Sequence, residues 1–414
     1  MLSRRSGSST TSKNQNDFWA RNHLVKIIIL QWVDICGVLR TRLVPASTFK
    51  KIIESNGYLN CAPLDTCVTT TAEFIPKLMP FFVDSGKIWP DVSSLKRASH
   101  TARGYHAAVC FGHVEFQNTD ARHILRTLVE KTKADRGLDF LVGMELEFCL
   151  LAPETLDPAE KGSIGVAHSS KILRSKVWSL LTDIIAVLDE AGIEVEQAIK
   201  EYGTSAYEIA LSLLPPVKAI DAYVYTLEHI HISATPSSKD KTWNPDTAMA
   251  GLLSHIHALT AIGLAQIDSY ERVGIGKMCT GGLIGWGDNN RDMPVRRVTK
   301  NHWEVRVNDA TSNSYAMVSG IIGALLDPKP LNIEGATKFT LFYSEEERQK
   351  MGLTKPLPGS LEEALKELEN DMEWAIHVLG REYVEWFIAL KKAEIETLSK
   401  MDVKERRLLL LDTF

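Results

Sequence analysis

The stretch that most constrains this chain is Gly143-Met144-Glu145-Leu146-Glu147-Phe148, which follows directly on the largely apolar run Leu138-Asp139-Phe140-Leu141-Val142. A β-strand turns successive side chains to opposite faces, so Glu145 and Glu147 share one face while Met144, Leu146 and Phe148 share the other. Two carboxylates on one face of a half-buried strand repel, and one of them protonates unless a cation lies between them. Hard divalent ions such as magnesium and manganese take carboxylate oxygens readily. An isolated Glu-x-Glu pair is equally at home on a solvated edge strand, so its meaning depends on the rest of the chain.

The rest of the chain sets bounds. Its 414 residues, 44% hydrophobic and 24% charged, are enough for a large core and more than one domain. A formal net charge of -5 gives no general basic field for nucleic acid, so anionic substrates depend on local arginines. No apolar run approaches the ~20 residues of a membrane helix. Cys36, Cys61, Cys67, Cys110, Cys149 and Cys279 form no CxxC pair and follow no signal peptide, which reads as reduced thiols in a cytoplasmic protein.

Residues 1–17 are polar and read as a disordered tail. From Val25 to Val44 two β-branched runs flank Asp34-Ile-Cys-Gly37 and predict a hairpin; Ser47 caps a short helix, and a strand follows at His106–Phe111. These pieces form an N-terminal domain over 18–112, leaving 113–414 as a second. There a helix over Ala121–Lys133 leads into the Glu-x-Glu strand. A helix from about Ile172 to Glu190 closes at Gly192, and strands follow at Ile193–Gln197 and Tyr207–Leu211. The segment His229-Ile230-His231-Ile232-Ser233 puts two imidazoles on one strand face. A helix over Thr247–Leu264 holds His255 and His257 as structural residues. Trp303-Glu304-Val305-Arg306-Val307 alternates with an acid and a base on one face, and Asp309–Asn313 caps an apolar helix to Leu326. A capping box at Ser360 and Glu363 opens a helix to Gly380.

Collected, the chain offers Glu145, Glu147, Glu201, Glu208 and Glu304 in or beside alternating strands, with Arg272, Arg291, Arg296 and Arg306. Acids hold hard cations, and arginines hold carboxylates and phosphates through bidentate forks. Phosphoryl transfer from a nucleotide to a carboxylate substrate needs that combination.

These motifs, in this order, resemble the glutamine synthetase family, and in particular its fungal glutamine-synthetase-like members. The matching pieces are Gly143–Phe148, Val195–Gln197, Lys200–Gly203, Tyr207–Ile209, His229–Ser233, Ser269–Arg272, Trp286–Arg291 and Glu304–Asn313. The resemblance implies an α+β fold, with an N-terminal β-grasp-like domain and a C-terminal curved antiparallel sheet with flanking helices. It implies a ligase that joins the γ-carboxylate of glutamate to ammonia or another amine through a γ-glutamyl phosphate, using ATP and Mg2+ or Mn2+. It also implies a homo-oligomeric ring. By position, Glu147, Glu201 and Glu208 would hold one ion and Glu145, His229 and Glu304 the other. Arg272 and Arg306 would bind the glutamate-like substrate, Arg291 and Arg296 would contact ATP phosphates, and Arg291 and Arg306 would be catalytic.

The sequence departs from the family pattern at four places. Tyr225-Thr-Leu-Glu228 runs almost directly into His229, where the family carries a further strand and a Gly-rich loop. Leu59-Asn-Cys-Ala-Pro63 stands where an ammonia-binding Asp is usual, the flap Gly274–Cys279 lacks the family's Glu, and His302 replaces a phosphate-binding Arg. The shortened segment supports an alternative reading, a catalytically inactive scaffold or regulatory protein.

Overall fold

In the computed structural model, which describes residues 17–98, 106–160, 166–175, 177–223, 229–237, 242–277 and 279–414, the β-branched runs behind His23 form the expected hairpin. β1 (Ile27–Val33) pairs antiparallel with β2 (Leu39–Pro45) around a turn in which Gly37 adopts φ +92°. A Cβ at Gly37 would lie 3.0 Å from the backbone of Ser312 and Asn313, so glycine is what lets the hairpin tip meet the other half of the chain there. The Asn313 side chain donates to the Asp34 carbonyl at 2.8 Å across the same contact.

α1 (Ala46–Glu54) starts directly from β2 with Pro45 at its cap position, so Ser47 already lies in the first turn and caps nothing. β3 (Leu59–Cys61), β4 (Gly86–Pro90), β5 (Lys96–Ala98) and β6 (Ala107–Glu115) complete a sheet ordered β2-β1-β6-β4-β3, with β5 also on β6 and β1 parallel to β6. Because β6 runs to Glu115, a domain boundary at 112 falls inside a strand. Residues 1–16 of the expected tail lie outside the described residues, and Asp17 begins a helical turn.

α2 (Ala121–Arg136) is capped by the Asp120 carboxylate and ends on Gly137 at φ +65°. It delivers the chain into β7 (Leu138–Cys149), the central strand of the second sheet. α3 (Val177–Glu190) begins five residues later than Ile172, because Ser170–Arg174 winds into a separate 3-10 turn. β8 (Val195–Lys200), β9 (Ala206–Leu211), α4 (Pro216–Tyr223) and β10 (His229–Pro236) follow. The shortened segment Tyr225–Glu228 lies outside the described residues.

The helix expected over Thr247–Leu264 is two helices, α5 (Pro245–Ser254) and α6 (Ile256–Gly263). They break at His255, whose ring bonds Asp371 at 2.5 Å and Asp327 at 2.9 Å and stacks on Trp374. His257 bonds the Pro356 carbonyl. Both histidines are thus structural. β11 (Trp286–Asp288), β12 (Val295–Thr299) and β13 (His302–Val305) finish a seven-stranded curled sheet ordered β11-β12-β13-β10-β7-β9-β8. Its pairs are antiparallel except β11 with β12, a departure from the all-antiparallel expectation.

α7 (Ser314–Leu325) is capped by Asn313 and wholly buried. α8 (Glu345–Met351), α9 (Leu361–Asn370), α10 (Met372–Leu379), α11 (Arg381–Leu398) and α12 (Val403–Thr413) make the remaining helical layer. The expected helix to Gly380 breaks at Asp371, the residue that holds His255. Ser360 caps the Glu363 amide, while the Glu363 carboxylate takes the Gly359 amide instead of completing a box.

One face of the seven-stranded sheet is apolar: Phe140, Val142, Met144, Ile209, Ile230, Ile232, Trp303 and Val305 are buried, with α2 and α4 against β7 and α7 against α2. Each such side chain contributes about 1.5–3 kcal/mol on burial, which fixes the register of every strand. That register decides what the opposite face presents.

Candidate active site

On the opposite face the strands align their charged residues into one patch. Glu145 on β7 is opposite His229 on β10, and Glu147 is opposite Glu208 on β9. Glu304 on β13 is opposite both His231 on β10 and Arg296 on β12. The alternation read from the sequence therefore holds for β7, β9, β10 and β13, and the structure adds β12 beside them.

The side chains make a dense network. His229 Nδ1 lies 3.2 Å from Glu145 and 3.1 Å from Glu147, and His231 Nε2 lies 3.1 Å from the other Glu145 oxygen. Glu304, 1% exposed, bonds Arg296 at 2.6 Å and is in direct contact with Arg306. His229 Nε2 also meets the Cys279 carbonyl at 3.3 Å, which ties the strand to the Gly-rich segment. That segment is closed by the Gly274 amide on the Gly281 carbonyl at 3.0 Å.

Electrostatics follow from burial and pairing. Burial opposes the Glu145 charge, but the hydrogen bonds from His229 and His231 outweigh it and hold this carboxyl well below the usual range. Burial likewise disfavours a charged His229, yet Glu145 and Glu147 raise it to about 9. Glu208 accepts from the Gln197 side-chain amide at 3.5 Å. Burial, then the charges of Glu145, Glu147 and Glu201, pushes it up to about 7. Glu304 is lowered despite its burial, chiefly by Arg306. Burial and the neighbouring His231 push His302 down to about 4.

Donor chemistry of this kind fits a hard divalent ion. Among the described residues two groups have ligand atoms within 4.8 Å of one another, Glu145–Glu147–His229 and Glu145–His231–Glu304. Glu208, opposite Glu147, stands beside the first. The grouping differs in part from the expected sets. Glu201 stands past the end of β8, where its carboxylate takes the Tyr202 amide at 2.9 Å; it reaches Glu208 through its field and joins neither group. His229 lies with Glu147 as well as Glu145, and 3.8 Å from Glu304. His231 and His302 were the residues missed as site members; the HxH spacing was the signal for the first.

The arginines divide. Arg296 and Arg306 sit within the patch on Glu304. Arg291 is exposed on a loop pinned on both sides, by Asn290 on the Ala336 and Lys338 carbonyls and by Asp292 on Thr340. Arg272 is half-buried at the end of the 3-10 turn Ile267–Arg272, directly before the Gly-rich segment. Among the described residues no helix is long and apolar enough to cross a membrane, and all six cysteines are free.

Comparisons with known proteins agree with this geometry. The family described as glutamine synthetase, catalytic domain, matches residues 118–249 and 229–407. Protein fluG of Emericella nidulans is 26% identical over 96% of this chain, which spans 50% of that protein's length. Glutamate–methylamine ligase of Methyloversatilis universalis is also 26% identical, over 92% of this chain and 95% of that one. A solved structure described as a GmaS/ADP complex superposes with a TM-score of 0.77 at 19% identity, covering 96% of this chain and 99% of that one. With the fold, the patch of acids and the match over residues 118–407 in agreement, this chain belongs to the glutamine synthetase family.

Proposed function

We propose that the protein is an ATP-dependent ligase that joins the γ-carboxylate of glutamate to ammonia or a small primary amine through a γ-glutamyl phosphate. The observation that carries this reading is the patch itself: Glu145, Glu147, Glu208 and Glu304 gathered on one sheet face with Arg296 and Arg306 against them. Glu145, Glu147, Glu208 and His229 would hold one divalent ion, Mg2+ or Mn2+, with Glu201 contributing from the edge. Glu145 and Glu304 would serve the other. Such ions supply neutralisation of the nucleotide's phosphate charge.

Around them the chain's own groups orient the reactants. Arg306 and Arg272 would take the substrate carboxylate, and Arg291 and Arg296 the phosphates, so that the attacking γ-carboxylate oxygen lies in line with the terminal phosphate. Phosphorylation turns a poor leaving group into a good one, and the amine then displaces phosphate. Relatives named for methylamine and isopropylamine support an acceptor wider than ammonia. A homo-oligomeric ring, a cytoplasmic location and a boundary between two domains near residues 116–120 complete the reading.

A second reading rests on one observation: Arg296, Arg306 and His229 already pair with Glu304, Glu145 and Glu147, so the patch is largely neutralised by the protein itself. On that reading the chain is a catalytically inactive scaffold. Thermal melting with Mg2+ or Mn2+ and ATP, followed by phosphate release over a panel of amines with glutamate, separates the two. Ligand binding to the folded state raises the melting temperature through RT ln(1 + [L]/Kd). Neither a shift nor phosphate release would leave the scaffold.

A further inference from the structure

The sheet gives His231 a ligand's position. β10 sets it opposite Glu304 on one side and Gly143 on the other. A Cβ at Gly143 would lie 3.6 Å from the His231 Cβ and 2.7 Å from Leu213, so glycine keeps that spot clear. The imidazole reaches diagonally to Glu145, with Nε2 3.1 Å from Oε1. A His231 ring nitrogen, a Glu145 oxygen and a Glu304 oxygen lie within 4.8 Å of one another. The other ring nitrogen, Nδ1, is 3.0 Å from Nε2 of His302, whose ring stands edge-on to it at 5.1 Å. A metal-binding histidine needs a lone pair on one nitrogen and a partner for the proton on the other. His231 has both.

We propose that, given the two-ion reading above, His231 binds the second divalent ion through Nε2 together with Glu145 and Glu304, and that His302 is its positioning residue. Glu145 then stands between two imidazoles, His229 and His231. With an ion bound, the His231 proton sits on Nδ1 and is donated to His302 Nε2. Without one, His302 Nε2–H donates to His231 Nδ1, and His231 Nε2–H donates to Glu145. A second nitrogen ligand moves preference away from magnesium, which favours six oxygens, toward manganese, cobalt or zinc.

Electron spin-echo envelope modulation of Mn2+ bound to the nucleotide-free protein tests this, with and without 15N-histidine. Two imidazole couplings are expected, of which His229→Gln removes one and His231→Gln the other, with Mn2+ bound at least about tenfold more weakly in each. His302→Phe should weaken Mn2+ binding about tenfold, and His302→Gln, whose amide oxygen accepts the Nδ1 proton, should recover most of it. Melting in EDTA identifies any variant that fails to fold, and His302→Phe then carries the test independently. A nitrogen signal unchanged in His231→Gln would overturn the proposal while leaving the metal reading intact. Wild-type Mn2+ bound with no histidine nitrogen would likewise overturn the proposal alone, and no Mn2+ binding by the wild-type protein would overturn both.

Discussion

Glu208→Gln in the metal-free protein gives the most direct measure of the charge packed on this sheet face. Glu208 is 6% exposed and sits in register with Glu147. Burial and the charges of Glu145, Glu147 and Glu201 raise its carboxyl from the ordinary 4.5 to about 7. An acid whose pKa is higher folded than unfolded binds its proton more tightly when folded. Stability therefore falls as pH rises from about 4.5 to about 7, and the full cost is present above that window. At 1.36 kcal/mol per pKa unit, this shift corresponds to about 3 kcal/mol. Gln keeps the shape and cannot ionise. In EDTA the variant should match wild type near pH 4.5 and exceed it at pH 8 by up to about 3 kcal/mol. With ~2.1 cal/mol/K per residue, that is a rise of ~3–4 °C in melting temperature. The His229 pair has its own pH dependence, with stability present below pH 6.5 and lost as pH rises through about 9. It contributes to both proteins and largely cancels in their difference. Saturating Mn2+ should reverse the order, because wild type then gains a ligand set that the variant lacks. An equal difference at both pH values, or a less stable variant at pH 8, would refute the argument.

Glu147→Gln should abolish metal-dependent ATP turnover and leave the metal-free protein as stable or more so, whereas a merely solvated glutamate would show no change in nucleotide binding; apo melting and phosphate release on one preparation decide. Arg306→Lys should lower kcat/KM for glutamate by at least about tenfold while the protein still folds, since a point charge replaces a planar fork; steady-state kinetics would check it. Gly263→Ala should destabilise by more than about 2 kcal/mol, because its Cβ would fall 1.9 Å from the Val307 carbonyl oxygen, and denaturant unfolding measures that. A free energy change under about 0.5 kcal/mol would show that α6 can shift away from Val307.

Strand periodicity determined most of the site. Alternation alone put Glu145 with Glu147 and Glu304 with Arg306, and the apolar partners of each, Met144, Ile230, Trp303 and Val305, pin those strands from the other side. Turn and capping chemistry supplied the hairpin and the Asn313 cap. Local rules failed where a distant partner intervenes. The helix over 247–264 breaks because His255 is drawn to Asp327 and Asp371, and neither acid is visible in its own neighbourhood. Which acid stands beside which, the placing of Glu201 at the margin, and the joining of His231 to His302 came from strand order β13-β10-β7-β9, a tertiary choice. The two-residue period says which face a side chain takes. Only the pairing of strands far apart in sequence says whose charge it meets there, and so whether a carboxylate ionises near pH 7 or far below it.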